Sequence, residues 1–118
     1  MEIFDFYKTV GIDMNENNGS KFYALKPSNA LEVIDILKDE EVLIHSVDAL
    51  FCDNQGHYDY KNENGERICW DMDSENIPDS DRYNLLKTRI QSVNDINILY
   101  LFSDEKSFKA WKKNHSLV

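Results

Sequence analysis

The sequence predicts an α+β protein, in which helices and an antiparallel sheet share one hydrophobic core. Apolar residues recur at helical spacing in some stretches and at alternate positions in others. Turn-forming Asn, Asp and Gly residues cluster at 53–56 and 62–65, between stretches that have the pattern of strands. Because 118 residues is the length of one ordinary domain, we expect a single α+β domain over residues 1–118.

Two helices are expected in the first third of the chain. Residues 2–10 form a short amphipathic helix that ends at Gly11, and its apolar stripe consists of Ile3, Phe6, Tyr7 and Val10. After a polar loop over 11–20 and a short strand over 21–25, a second helix is predicted from about Ser28 to Lys38. Ser28 is its expected N-cap residue, because a serine hydroxyl can accept a bond from an early backbone N–H. Its inward face consists of Ala30, Leu31, Ile34 and Leu37.

Two more helices are expected in the last third. The third covers about 80–92, with Ser80 as a possible cap and with Tyr83, Leu86, Ile90 and Val93 in register. The final helix begins after Ser103 or Asp104, and its inward residues are Phe108 and Trp111. About four helices should therefore pack on the sheet.

The sheet is predicted as a three-stranded antiparallel meander over about 49–72, joined by a strand over 96–102. The last strand should be central, because it is apolar on both faces. Alternation in the meander puts Ile68, Trp70 and Met72 on one face, so we expect Trp70 to be buried. Residues 42–48 fit either a strand or a helix, and periodicity leaves that choice open.

Acidic residues outnumber basic ones by 22 to 13, which gives a formal net charge of −9. A surface of this sign repels phosphate backbones and anionic lipid headgroups and attracts basic proteins. We therefore expect a basic protein as partner, and neither nucleic acid nor a membrane. An acidic surface that serves solubility alone is the other interpretation, and the oligomeric state stays open.

The sequence shows no signal for export or membrane insertion. An acidic residue, Glu2, stands where a secretory signal needs positive charge. The longest apolar run, residues 98–102, is far too short to span a bilayer. Cys52 and Cys69 fit two reduced thiols in a chain that does not need a disulfide. These features predict a cytoplasmic protein.

No constellation of residues indicates catalysis, a metal or a cofactor. Cys52 and His57 flank one turn and could approach each other, but no oxyanion site is evident, and a buried strand cysteine is the more common case. Together with Cys69 they make three zinc ligands at most, without paired short spacings. The stretch from Asp71 begins like a calcium loop, yet Arg82 stands where a bidentate Glu belongs. We expect a protein that is not an enzyme and binds no cofactor.

The segment 71–81, called here the acidic segment, is the most unusual part of the chain. Five of its eleven residues are acidic and none is basic. Self-repulsion makes such a segment costly unless cations of a partner neutralise it. The other interpretation is a solvated loop whose last two carboxylates favour the following helix N-terminus. The predicted partner-binding residues are Asp71, Asp73, Glu75, Asp79 and Asp81.

In overall character, the chain resembles the small acidic immunity proteins of bacterial toxin systems, including the partners of contact-dependent growth inhibition toxins. The features that carry the resemblance are the small acidic α+β body, the lack of a catalytic constellation and the dense carboxylates of the acidic segment. The resemblance implies a cytoplasmic protein that binds a cognate toxin domain, often a basic nuclease, and blocks its active site or an adjacent surface.

Two other functions stay open on the sequence. One is a small regulatory or ligand-binding domain, with a pocket between the sheet and the side chains of Tyr58, Tyr60 or Trp70. The other is an enzyme with an unrecognised site, for which Cys52 and His57 are the best candidates.

Overall fold

The structure is a computed structural model that describes residues 3–14, 23–93, 97–107 and 109. The predicted α+β class is confirmed, with helices packed on antiparallel sheets. In chain order, the elements are α1 (Ile3–Val10), β1 (Ile12–Asp13), β2 (Tyr23–Ala24), α2 (Pro27–Asp39), β3 (Ile44–Cys52), β4 (Tyr58–Asp59), β5 (Cys69–Asp71), α3 (Asp79–Ser92) and β6 (Ile98–Asp104).

Strand β3 lies at the centre of the larger sheet. It includes residues 44–48, for which the sequence left the choice between helix and strand open. It pairs with β6 along one edge, from Ile44↔Asp104 to Phe51↔Ile98, with an irregularity at His45. Its other edge pairs with β4 at Phe51 and Cys52 and with β5 from Ser46 to Asp48. All these pairs are antiparallel.

The strand order differs from the predicted meander. Strand β5 pairs with β3, while the bridge that joins the segments of β4 and β5, between Lys61 and Arg67, lies outside both strands. The backbone N–H of Ala49 donates to Ile68, which continues the line of bonds toward β5. Because β4 and β5 share one edge of β3, the chain between them forms a small hairpin around the turn at 62–65.

The core lies between the helices and one face of this sheet. From the sheet it takes Val47, Ala49, Tyr100 and Phe102, and from the helices it takes Ile3, Phe6, Val33, Ile34, Leu37, Leu86 and Ile90. The opposite face presents Leu50, Leu99 and Leu101 to Met14 and Ala24. The last strand is therefore apolar on both faces, but the prediction that it is central in the sheet is wrong: β6 pairs with β3, the central strand, and otherwise meets the chain at the bridge between Tyr100 and Leu25. The predicted burial of Trp70 is met in part: the side chain is partly buried and packs against the core, and its ring stacks on Tyr100 with centroids 6.0 Å apart.

Both predicted serine N-caps are wrong. Helix α2 begins at Pro27 after Lys26, and α3 begins after Pro78, with no side-chain cap bond at either start. Proline supplies a preset φ and has no N–H that needs a partner, so the helix can begin at or beside it. Ser28 and Ser80 consequently lie inside the first turns.

Asp104, by contrast, is confirmed as a cap. Its Oδ1 accepts a bond from the backbone N–H of Ser107 at 2.8 Å, and residues 105–107 are helical. Its Oδ2 accepts bonds from the hydroxyls of Ser107 and Tyr7, so this fully buried carboxylate is well satisfied. Burial, with the charge and the hydrogen bond of Asp104, raises the pKa of Tyr7 well above its usual value. The predicted inward residues Phe108 and Trp111 lie outside the described residues.

The close packing at the end of α1 explains why residue 11 is a glycine. Gly11 ends the helix as predicted, and its N–H donates to the carbonyl of Tyr7 at 2.8 Å. Strand β1 follows inside the predicted loop and pairs with β2. A Cβ atom at Gly11 would lie 2.6 Å from the Tyr7 carbonyl oxygen and 2.6 Å from Cβ of Tyr23. Glycine is required here because the helix and the strand approach each other so closely.

Candidate functional site

The acidic segment forms an ordered turn between β5 and α3. Met72 is fully buried beneath it, and the N–H of Ile77 donates to the carbonyl of Met72. Asp71 accepts bonds from the backbone N–H of Ser74 at 3.1 Å and from its hydroxyl at 2.9 Å. These bonds lower the pKa of Asp71, so its carboxylate stays ionised. The turn therefore has a fixed shape.

Arg82 of α3 supplies one cation that the acidic segment itself lacks. Its Nη1 donates to Oδ1 of Asp73 at 2.6 Å and to the carbonyl of Ile44 at 2.8 Å. Its Nε donates to the carbonyl of Ile77, also at 2.8 Å. The Arg82 side chain is only 7% exposed, so it ties the turn to β3 from inside the protein. The hydrogen bond from Arg82 is the main cause that lowers the pKa of Asp73.

Arg89, two turns further along α3, supplies a second cation. Its two terminal nitrogens donate to the two carboxylate oxygens of Glu75 at 2.9 and 2.8 Å, a bidentate arrangement. This contact lowers the pKa of Glu75 and raises that of Arg89. Two of the five predicted partner-binding carboxylates, Asp73 and Glu75, are thus already paired within the chain.

His45 lies between two carboxylates, at the irregularity in β3. Its Nδ1 is 2.8 Å from Oδ2 of Asp73, and its Nε2 is 2.5 Å from Oε2 of Glu105. Partial burial alone would lower the pKa of His45, but the hydrogen bonds and charges of the two carboxylates outweigh it and raise the pKa. Lys109 lies 3.7 Å from Glu105 on the other side.

The other three predicted residues, Asp71, Asp79 and Asp81, are exposed and are called here the outer carboxylates. The side chain of Asp79 is 76% exposed, and its nearest cationic group is Nη2 of Arg82 at 3.9 Å. Asp81 has no ion pair with any described residue. Asp79 and Asp81 lie in the first turn of α3, where the helix dipole favours negative charge.

Packing of α2 against α3 adds Glu41 to this acidic surface. The Tyr83 hydroxyl donates to the carbonyl of Val42, which holds the end of α2 against the start of α3. Burial raises the pKa of Tyr83, and the negative charges of Asp79 and Glu41 raise it further, so both carboxylates lie near that hydroxyl. Glu41 could not be predicted from the sequence, because no local pattern shows which helix ends meet.

The candidate Cys52–His57 pair is not formed. The Cys52 thiol donates to the carbonyl of Asp53, while Nδ1 of His57 lies 3.3 Å from the Asp53 carboxylate. No group of three or more His, Cys, Asp or Glu that could hold a metal ion occurs among the described residues. Among the residues that the structure describes, no helix is long and apolar enough to cross a membrane.

Two adjoining clefts lie at the end of the sheet near Tyr58. The first is polar, has a volume of about 540 Å³ and lies between the turns that flank β4. The second has a volume of about 490 Å³, and its lining includes Ile12, Lys26, Pro27, Tyr58 and Leu99. Cys52, Tyr58 and Asn97 line both clefts. Of the three side chains beside which a pocket was expected, Tyr58 lines both clefts, while Tyr60 and Trp70 line neither.

We expect the thiols to be dispensable for binding. Burial raises the pKa of Cys69, and the hydrogen bond with Asp48 raises it further, which keeps the thiol protonated and weakly reactive. The double variant Cys52→Ser with Cys69→Ser should change the free energy of unfolding by no more than about 1 kcal/mol. Thermal unfolding and partner titration measure this. Binding that disappears while the fold persists would contradict it.

Comparison of the chain with protein-family models, with curated proteins and with solved structures found no match in any of the three.

Proposed function

We propose that this chain is a cytoplasmic immunity protein that binds a basic, nuclease-type bacterial toxin domain and blocks its active site or an adjacent surface. The observation that supports the proposal best is the construction of the acidic segment. Arg82 holds the segment from inside the protein and Arg89 pairs with Glu75 at the surface, while the outer carboxylates remain exposed.

Such a surface is suited to rapid capture of a cationic partner. Opposed charges steer the encounter and raise the association rate. A turn that is already ordered loses little conformational entropy on binding, so more of the contact energy appears as affinity. Glu41 widens the charged area beyond the segment itself. On the toxin, carboxylates arranged in this way would occupy the positions of nucleic-acid phosphates.

The two clefts near Tyr58 support a second candidate, a small regulatory or ligand-binding domain. Their volumes of about 540 and 490 Å³ lie within the range of small-molecule pockets. Native mass spectrometry of the purified protein tests this function. A stoichiometric bound metabolite, together with no affinity for basic toxin domains, would favour this candidate over the immunity function.

The decisive variant neutralises the outer carboxylates: Asp71→Asn, Asp79→Asn and Asp81→Asn. Asparagine at position 71 keeps one oxygen that can accept the bond from the Ser74 backbone N–H, and its NH₂ group can donate to the Ser74 hydroxyl, so the turn should persist. We expect the association rate with the toxin domain encoded by an adjacent gene to fall about tenfold at low salt. The dissociation rate and the melting temperature should change little.

The matched control removes three negative charges elsewhere, through Glu32→Gln, Glu63→Gln and Glu66→Gln, all of which are exposed. If position matters as well as net charge, the control should retain most of the association rate. At high salt the three proteins should converge, because screening weakens exposed charges. Survival of cells that express the toxin gives the functional readout. Equal rates for both variants would place the interface elsewhere, and failure of the wild-type protein to bind or protect would refute the proposal.

A further inference from the structure

The pair of carboxylates around His45 fixes the charge of the imidazole. An ionised carboxylate only accepts hydrogen bonds, so a ring nitrogen that bonds one must carry a proton. Both ring nitrogens of His45 lie at hydrogen-bond distance from carboxylate oxygens, at 2.8 Å from Asp73 and 2.5 Å from Glu105. Neutral imidazole has only one N–H. With both carboxylates ionised, which their lowered pKa values favour, only the doubly protonated cation satisfies both contacts.

We propose that His45 is a proton-operated latch that joins three separate parts of the chain. These parts are the start of β3, the acidic segment through Asp73, and the helical residues 105–107 through Glu105. In the protonated state the latch is closed on both carboxylates. Loss of the proton leaves a lone pair facing one carboxylate, and that contact becomes repulsive.

The contact that opens is the one to Glu105. Asp73 has a second cation, Arg82, at 2.6 Å, and that arginine is itself held by the carbonyls of Ile44 and Ile77. Among the described residues, the other cation at Glu105 is the exposed Lys109, at 3.7 Å. Neutral His45 therefore keeps its proton on Nδ1 toward Asp73, while the Glu105 side chain turns away toward Lys109. Opening should affect residues 105–107 and leave the acidic segment in place.

Two other charged groups near the latch, among the described residues, have partners of their own. Lys106 donates to Glu40 at 3.2 Å. The Asp104 carboxylate is occupied by Ser107 and Tyr7. The backbone bond from the Glu105 N–H to the Leu43 carbonyl does not depend on protonation, so it should persist when the latch opens.

The direction of the pH dependence follows from linkage. The raised pKa of His45 means that the latch contributes its full stabilisation below the ordinary histidine pKa of about 6.5 and loses it as pH rises through the folded value. Between those two values the folding equilibrium constant falls by up to tenfold per pH unit. The lowered pKa values of Asp73 and Glu105 act in the opposite sense, and their contribution is lost as pH falls below about 4.

An NMR titration of the full chain tests the latch directly. The ring nitrogens of His45 should show the cation at pH 6.5, with a midpoint above the ordinary histidine value. The backbone amides of residues 105–107 should shift with that same midpoint, while the amides of Ser74 and Glu75 should shift much less. Residues 105–107 that do not follow the His45 titration would overturn the latch, and so would a midpoint at or below the ordinary value.

Variants separate the latch from ordinary surface titration. Glu105→Gln should lower the His45 midpoint and abolish the coupled shift of residues 105–107. His45→Gln should remove the stability loss between pH 6.5 and 8.5. The double variant His57→Gln with His115→Gln leaves His45 as the only histidine and should keep that loss. If His45→Gln keeps the wild-type pH dependence, or the double variant loses it, the proposal is wrong. None of these measurements depends on toxin binding.

Discussion

Replacement of Arg82 by Met should lower the free energy of unfolding by roughly 2–4 kcal/mol. The guanidinium is buried and donates to two backbone carbonyls as well as to Asp73. Methionine occupies a similar volume but donates nothing, so the Ile44 and Ile77 carbonyls lose their partner. Asp73 is half exposed and can be solvated, which keeps the cost below that of a fully buried broken ion pair. Denaturant unfolding at pH 6 measures the change.

The same substitution at Arg89 is the matched control. That guanidinium forms a bidentate pair with Glu75, but both side chains are partly exposed and no other group depends on the pair. Arg89→Met should cost less than about 1 kcal/mol. Arg82→Lys should recover only part of the lost stability, because an ammonium cannot reproduce the planar set of donors. If the Arg82 and Arg89 variants were equally stable, Arg82 would not be the internal support of the turn.

Replacement of Gly11 by Ala should cost about 3 kcal/mol, the upper end of the usual range for overpacking. The new Cβ would lie 2.6 Å from the backbone oxygen of Tyr7 and 2.6 Å from Cβ of Tyr23, and neither atom belongs to a flexible side-chain end. Either α1 or the β1–β2 pair must move to relieve the contact. The melting temperature and the free energy of unfolding in denaturant both report the loss.

Gly65→Ala is the control for this substitution. Gly65 has a φ of 77°, and a Cβ there would meet no atom within 4 Å. Its replacement should cost only about 1 kcal/mol, through backbone strain alone. A Gly11 variant as stable as the Gly65 variant would show that the close approach after α1 relaxes easily.

Much of the fold could be predicted from the sequence where the signal is local. Helical spacing alone predicts most of the inward residues of α1, α2 and α3, and the structure buries them. Val10, Leu31 and Val93, which were also expected to face inward, are only partly buried, and the fully buried Val33 of α2 was not predicted. Strand β6 was evident because it is apolar on both faces. The strand order was not, since β5 could pair with either earlier strand and only tertiary packing decided for β3. The N-cap predictions at Ser28 and Ser80 failed because each serine competed with a nearby proline.

The negative charge of the candidate site could be predicted from the sequence, but its ion pairs could not. The excess of carboxylates at 71–81 could be read directly, and Asp71, Asp79 and Asp81 are exposed as a partner-binding surface requires. The cations that hold the segment lie outside it, in α3 and in β3. In the sequence, Arg82 stood out only because it occupies the position at which a calcium loop has a glutamate. The contact of His45 with Glu105 spans 60 positions, and no local pattern indicates it.

The position of β3 in the sheet has a consequence for how the chain reaches its native state. Its longest partner, β6, is separated from it by residues 53–97, so the central pairing must close a long loop before it gains any contact energy. Only the short pairing with β4 is close in sequence. Pairings between distant segments slow folding, because the entropy of closure is lost first. Until β6 pairs with it, one edge of the nine-residue strand β3 is unpaired. A newly made chain is most exposed to aggregation at this stage, because an unpaired edge can bind another chain.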